Sequence, residues 1–123
     1  MICLDTNYLI RALIPGTPDA KWVEAWITGG EKIILPTIAW YEFLCGCNAE
    51  EEKLALALLT GGLHPFGDKE ARISARNFRA LKTPRHLRVD AMIAGTAIAA
   101  GAFLATNNRA DFKPFVAHGL RLI

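Results

Sequence analysis

Long apolar runs are missing from this chain of 123 residues. No stretch approaches the ~18 consecutive apolar residues of a membrane span. Met1 leads straight into apolar sequence without a basic n-region, so no cleavable leader is expected. Cysteine is scarce and odd in number. Cys3, Cys45 and Cys47 lie in apolar surroundings, which excludes a disulfide framework and fits reduced, buried thiols of a cytoplasmic protein. Cys45 and Cys47 form a C-x-C pair with neither a second pair nor a nearby His, too little for a zinc site. Repeats, linkers and low-complexity tracts are absent. Acids are missing where bases gather. Glu70 is the only acid between residues 69 and 89, whereas Lys69, Arg72, Arg76, Arg79, Lys82, Arg85 and Arg88 make up seven of the 14 Lys and Arg. Such a block, in a chain of net charge +2, points to a polyanionic partner, either nucleic acid or an acidic protein segment.

What is present is the composition of a soluble globular protein, 52% hydrophobic and 21% charged, and the length suits one domain over residues 1–123. Short apolar runs stopped by Pro, Gly or a polar cluster predict strands near residues 1–4, 32–35, 63–66, 102–105 and 120–123. Helical patterns lie between them. Tyr8 to Leu13 is a short one. Thr17 caps a second with Pro18 at its first position, and Thr37 caps a third beginning near Ile38. Residues 50 to 60 open on three glutamates that suit the helix dipole. Asp68 caps a basic helix to about Leu81, and Val89 to Ala100 is an Ala-rich, nearly uncharged helix. Strands alternating with helices predict an α/β fold, a parallel sheet covered on both faces.

Three acids stand alone in apolar sequence. Asp5 is the only charged side chain in residues 1–10, Glu42 the only one in 33–49 and Asp90 the only one in 89–108. An unpaired buried carboxylate is costly by several kcal/mol, and no local Arg or Lys offers relief. A shared divalent cation with hard oxygen ligands, Mg²⁺ or Mn²⁺, would satisfy all three. Asp5 ends the first strand, on the side where ligands bind in open α/β sheets. Glu42 is expected on or beside the buried face of its helix. Asp90 opens the Ala-rich helix. Thr106, Asn107, Asn108 and Asp111 follow the fourth strand at the same rim. Each has a plainer reading: Asp5 as a turn stabiliser, Glu42 facing solvent, Asp90 and Asp111 as helix caps. Their recurrence at matching places favours a site.

In this order, Leu4-Asp5-Thr6-Asn7, Trp40-Tyr41-Glu42-Phe43-Leu44, Val89-Asp90-Ala91-Met92-Ile93-Ala94 and Thr106-Asn107-Asn108-Arg109-Ala110-Asp111-Phe112 resemble the PIN-domain ribonucleases, most of all the VapC-type toxins of toxin–antitoxin pairs. The resemblance spans the chain. It implies a PIN-like three-layer α/β/α fold with a twisted, mainly parallel sheet of four or five strands. It further implies Mg²⁺- or Mn²⁺-dependent endoribonuclease activity, a homodimer and inhibition by a cognate antitoxin that inserts a basic side chain among the carboxylates. Asp5, Glu42 and Asp90 take the positions of the principal acids, and Asn108 falls at the fourth, with Asp111 an additional acid nearby. Asn in place of Asp at that position leaves it open whether one metal or two are held.

The chemistry expected is metal-assisted phosphodiester hydrolysis. Glu42 would orient the attacking water, and Thr6 would hydrogen-bond a ligand residue or a phosphate. Arg72, Arg76 and Arg79 share one helical face, and Arg85 and Arg88 lead into Asp90. These five would position RNA through its phosphates without reading sequence. His64, His86 and His118 lie outside the motifs and are read as structural or surface residues. Trp22, Trp26, Trp40 and Tyr41 serve either a partner surface or the core. An aspartyl phosphatase would want a second Asp where Asn7 stands, and a receiver domain would want an acidic pair at the first strand. A non-catalytic PIN-like module binding RNA or protein is the alternative, and the intact acids speak against it.

Overall fold

The computed structural model describes all of residues 1–123. Its centre is β1 (Ile2–Leu4), whose three side chains are buried. It pairs in parallel with β2 (Ile33–Pro36) on one side and β4 (Phe103–Ala105) on the other. β3 (Gly62–His64) and β5 (Arg121–Leu122) complete a five-stranded parallel sheet in the order β3-β2-β1-β4-β5. Parallel strands require crossovers, supplied by α1 (Thr6–Ala12), α2 (Pro18–Thr28), α3 (Thr37–Leu44), α4 (Ala49–Leu58), α5 (Asp68–Ala80), α6 (Arg88–Ala100) and α7 (Arg109–Phe112). Short 3-10 turns at Arg85–Leu87 and Lys113–His118 precede α6 and follow α7. The result is the expected three-layer α/β/α architecture. With both faces covered, the central strands read as continuous apolar runs rather than alternating ones.

Strand order reverses at β1. The chain moves outward through β2 and β3, then returns to lay β4 on β1's other side. Crevices for ligands form at such reversals, beyond the carboxyl ends of the strands. The register places Leu4 opposite Ala105, so Asp5 and Thr106, the next residues on each strand, meet at that crevice.

Several local expectations are corrected. Thr37 is not a cap: α3 starts at Thr37 itself behind Pro36, and the Thr37 hydroxyl accepts from the Phe66 backbone N–H at 3.1 Å. Asp68 lies inside α5 rather than before it. Glu70 reaches back instead to the Gly67 N–H at 3.0 Å, with its other oxygen 3.2 Å from His64 Nε2. This pairing holds the Glu70 carboxyl below its usual range, the His64 bond being the largest cause. Of the thiols only Cys3 is buried. Cys45 is exposed and Cys47 partly so. Trp26 and Trp40 pack on the core, Trp26 against Tyr8 and Trp40 against Phe43, whereas Trp22 and Tyr41 are 58% and 68% exposed. No helix is long and apolar enough to cross a membrane.

The most extensive helix pairing is α5 on α6. A Cβ added at Gly95 of α6 would lie 1.9 Å from Ser74 Oγ of α5, so the contact demands glycine. Gly101 closes α6 in the left-handed conformation, φ 66°, that glycine adopts freely.

Candidate active site

Asp5 is 6% exposed and is the N-cap of α1. Its Oδ1 accepts the Tyr8 backbone N–H at 2.8 Å, and its Oδ2 accepts the Thr106 hydroxyl at 2.5 Å. The turn-stabilising role is therefore present, and the same cap bond fixes the carboxylate at the rim. Burial pushes the Asp5 carboxyl up, the Thr106 and Tyr8 bonds partly offset this, and Asp19 and Glu42 add to the rise. Thr106 also accepts the Asn108 N–H at 2.9 Å, tying the fourth motif to the first.

Glu42 lies on the exposed side of α3, not beside its buried face. It is nonetheless anchored, since Thr6 Oγ1 donates to its Oε1 at 2.6 Å. Of the two partners expected for Thr6, a candidate ligand residue or a phosphate, the structure supplies a contact to the candidate carboxylate Glu42. Asp90 is partly buried in the first turn of α6, two residues inside rather than at the cap. Its carboxyl is pushed up to about 6, first by burial and then by the negative charges of Asp111, Asp5 and Glu42, with His86 acting the other way. Asn108 Nδ2 donates to Asp111 Oδ2 at 2.6 Å.

Asp5, Thr6, Asn7, Glu42, Asp90 and Asn108 line one opening of about 120 Å³, walled by Ile93 and Phe112. Asp111 is held beside it through Asn108. No Lys or Arg lines this opening, so the negative charges that help push Asp90 and Asp5 up meet no cation among its lining side chains. The donors do not close into a ready-made cage of three or more His, Cys, Asp or Glu side chains. A set of hard oxygens around an open space suits Mg²⁺ or Mn²⁺, since Mg²⁺ keeps several of its waters and takes only one or two carboxylates. On this chemistry the residues fit such an ion.

The basic block is not brought into the opening. Arg72, Arg76 and Arg79 do share an exposed face of α5, but none lines the acidic space. Arg72 pairs with Asp68 at 2.8 Å. The Arg88 guanidinium lies 5.6 Å over the Phe78 ring, and Arg85 is exposed in the turn before α6. Arg11, Asp19 and Tyr8 of this region escaped the sequence reading. Asp19, 3% exposed, accepts from Arg11 Nε at 3.1 Å and from Asn107 Nδ2 at 2.6 Å. Nothing in the spacing signals a pair closed across 88 residues. The burial and negative surroundings also reach Tyr8, whose hydroxyl is pushed up to about 12 by burial, then Asp19 and Asp5.

A parallel α/β/α sheet with carboxylates gathered at its point of strand reversal defines a class of open-sheet proteins that work at the carboxyl rim. Within that class the PIN domain model matches residues 2–114, and the chain belongs to the PIN domain family. Solved structures share the fold. A chain of FitAB bound to an IR36 DNA fragment is 24% identical with a TM-score of 0.76, covering 100% of this chain and 94% of that one. A chain of VapBC2 from Rickettsia felis, bound to a fragment of promoter DNA, is 22% identical with a TM-score of 0.74, covering 100% and 98%. A toxin–antitoxin complex from Klebsiella pneumoniae contains a chain 27% identical with a TM-score of 0.71, covering 91% and 90%. No curated protein matches the sequence.

Proposed function

We propose that residues 1–123 form one PIN domain acting as a VapC-type toxin, a cytoplasmic endoribonuclease that depends on Mg²⁺ or Mn²⁺ and is neutralised by a cognate antitoxin. The observation carrying this reading is the convergence of Asp5, Glu42 and Asp90 on one opening that no basic side chain lines, with Asp5 and Asp90 both pushed up, first by burial and then by neighbouring carboxylates. Perturbed carboxyls of this kind cluster at functional sites. Membership of the PIN family and the toxin–antitoxin neighbours support it.

Asp5, Asp90 and Glu42 would hold the cation, with Asn108 or Asp111 completing the set. The bound cation supplies charge neutralisation at the scissile phosphodiester and acidifies water for attack on phosphorus. The chain's own contribution is arrangement. Thr106 and the Tyr8 N–H aim Asp5, and Thr6 aims Glu42, which orients the attacking water and accepts its proton. Arg76, Arg79 and Arg85, free of ion pairs, would draw RNA towards the rim by long-range attraction, with Arg72 and Arg88 contributing from their more constrained positions. Exposed Trp22 and Tyr41 would serve the antitoxin or a second copy in a homodimer.

Total cellular RNA incubated with antitoxin-free protein tests the reading. Discrete fragments in Mg²⁺ or Mn²⁺ and none in EDTA are expected; metal-independent or absent cleavage would speak against it.

A further inference from the structure

Beside the acidic opening lies a second one of about 360 Å³, lined by Asp5, Asn7, Ile10, Arg11, Asn107 and Asn108. The two share Asp5, Asn7 and Asn108 and so adjoin along these residues. Arg11 is its only cation. The Arg11 side chain is 49% exposed, yet it is not loose. Its Nε donates at 3.1 Å to Asp19, whose side chain is 4% exposed and is itself gripped by Asn107 Nδ2 at 2.6 Å. A guanidinium is planar, so the Nε bond to Asp19 tethers the fork at its base and turns its terminal nitrogens away from that carboxylate. Only Nε is engaged within the chain, which leaves the four N–H donors of the terminal nitrogens free. The Asn7 side chain, also lining this space, has no partner within the chain. A planar fork with spare donors beside neutral amides is the chemistry that recognises a phosphodiester.

We propose that this opening is a subsite for the RNA phosphate next to the scissile one, with Arg11 as the contacting residue, Asn7 as a second donor, and Asp19 and Asn107 as positioning residues. The proposal rests on the nuclease reading above and deepens it. Asp19 serves here to hold the fork, at the cost of part of Arg11's charge. Contact at this subsite sets register along the strand without reading bases.

The test is the charge-neutral double variant Arg11→Gln with Asp19→Asn. It removes the fork while leaving net charge unchanged, and it keeps amides at the Asp19–Asn107 contact. Binding of a mixed-sequence single-stranded oligoribonucleotide is followed in EDTA from low to high salt, with thermal melting confirming that the variant is folded. The expected result is an affinity about tenfold lower at low salt and a salt slope smaller by about 0.7, one phosphate contact on a single strand. Arg11→Lys, which keeps charge without the fork, should fall between. Unchanged affinity and slope in a folded double variant, or no RNA binding by the wild type, overturns the subsite. Cleavage in Mn²⁺ by the same preparations separates the two readings. A wild type that binds with the expected Arg11 dependence but does not cut removes the nuclease and keeps the subsite. A wild type that cuts, with a double variant binding as tightly, keeps the nuclease and removes the subsite.

Discussion

The Thr106 hydroxyl donates to the Asp5 carboxylate across a sequence separation of 101 residues, and both are buried. The bond follows from register: with Leu4 opposite Ala105, the first residue beyond each strand lies against the other. Thr106 thus fixes the direction of the Asp5 carboxylate and favours its charged form against the effect of burial, the part an outer partner would play if Asp5 holds the cation as proposed.

Thr106→Val keeps the shape and removes the donor. Asp5 should then rise further, because this bond is the largest influence lowering it. Mn²⁺ affinity, read by calorimetry, should fall about tenfold or more, while Thr106→Ser should remain within about threefold of the wild type. Equal affinity for all three would show that Asp5 is held without Thr106.

Asp90 makes the metal-free protein sensitive to pH. Its folded value, about 6, lies above the ordinary 3.8. The folded state therefore binds the proton more tightly than the unfolded chain does. The resulting stability is fully present below the ordinary value and is lost as pH rises through about 6. Urea unfolding in EDTA should show greater stability at pH 5 than at pH 7.5, by on the order of 1 kcal/mol after allowing for partial exposure. Asp90→Asn should shrink that difference, leaving the share due to Asp5, which is also pushed up, and should stabilise the apo protein at pH 7.5. A wild type less stable at pH 5 than at pH 7.5 would contradict the assignment.

Gly95 has no room for a side chain, since its added Cβ would meet Ser74 Oγ at 1.9 Å. Gly95→Ala should cost about 1–3 kcal/mol through overpacking. Ser74 Oγ is buried without a partner, so Ser74→Ala alone should be neutral or slightly stabilising, and it should partly rescue Gly95→Ala in a double-variant cycle. Full additivity of the two changes would show that the helices part by some other route.

Asp5 was legible because an apolar strand stops at a lone carboxylate, and the alternation of strands and helices gave the parallel sheet. Glu42 and Asp90 were found by isolation in sequence, but isolation does not tell burial: Glu42 proved exposed and tied to Thr6. Thr37 resembled a cap because hydroxyls before helices usually cap them, yet its oxygen serves Phe66 from the next connection. The arginines of α5 looked close to Asp90 because the chain reaches it soon after. In space, α5 turns its small residues to α6 and its arginines outward. Arg11 and Asp19 carry no local pattern, and only the fold joins them to Asn107 of the fourth motif.

The most direct measurement is RNA cleavage in Mn²⁺ by wild type, Asp5→Asn and Asp90→Asn side by side, each shown to be folded by thermal melting. Discrete fragments from the wild type, reduced at least about a hundredfold in both variants together with weakened Mn²⁺ binding, are predicted for a site in which these carboxylates hold the metal. Undiminished cleavage by either folded variant would contradict the account.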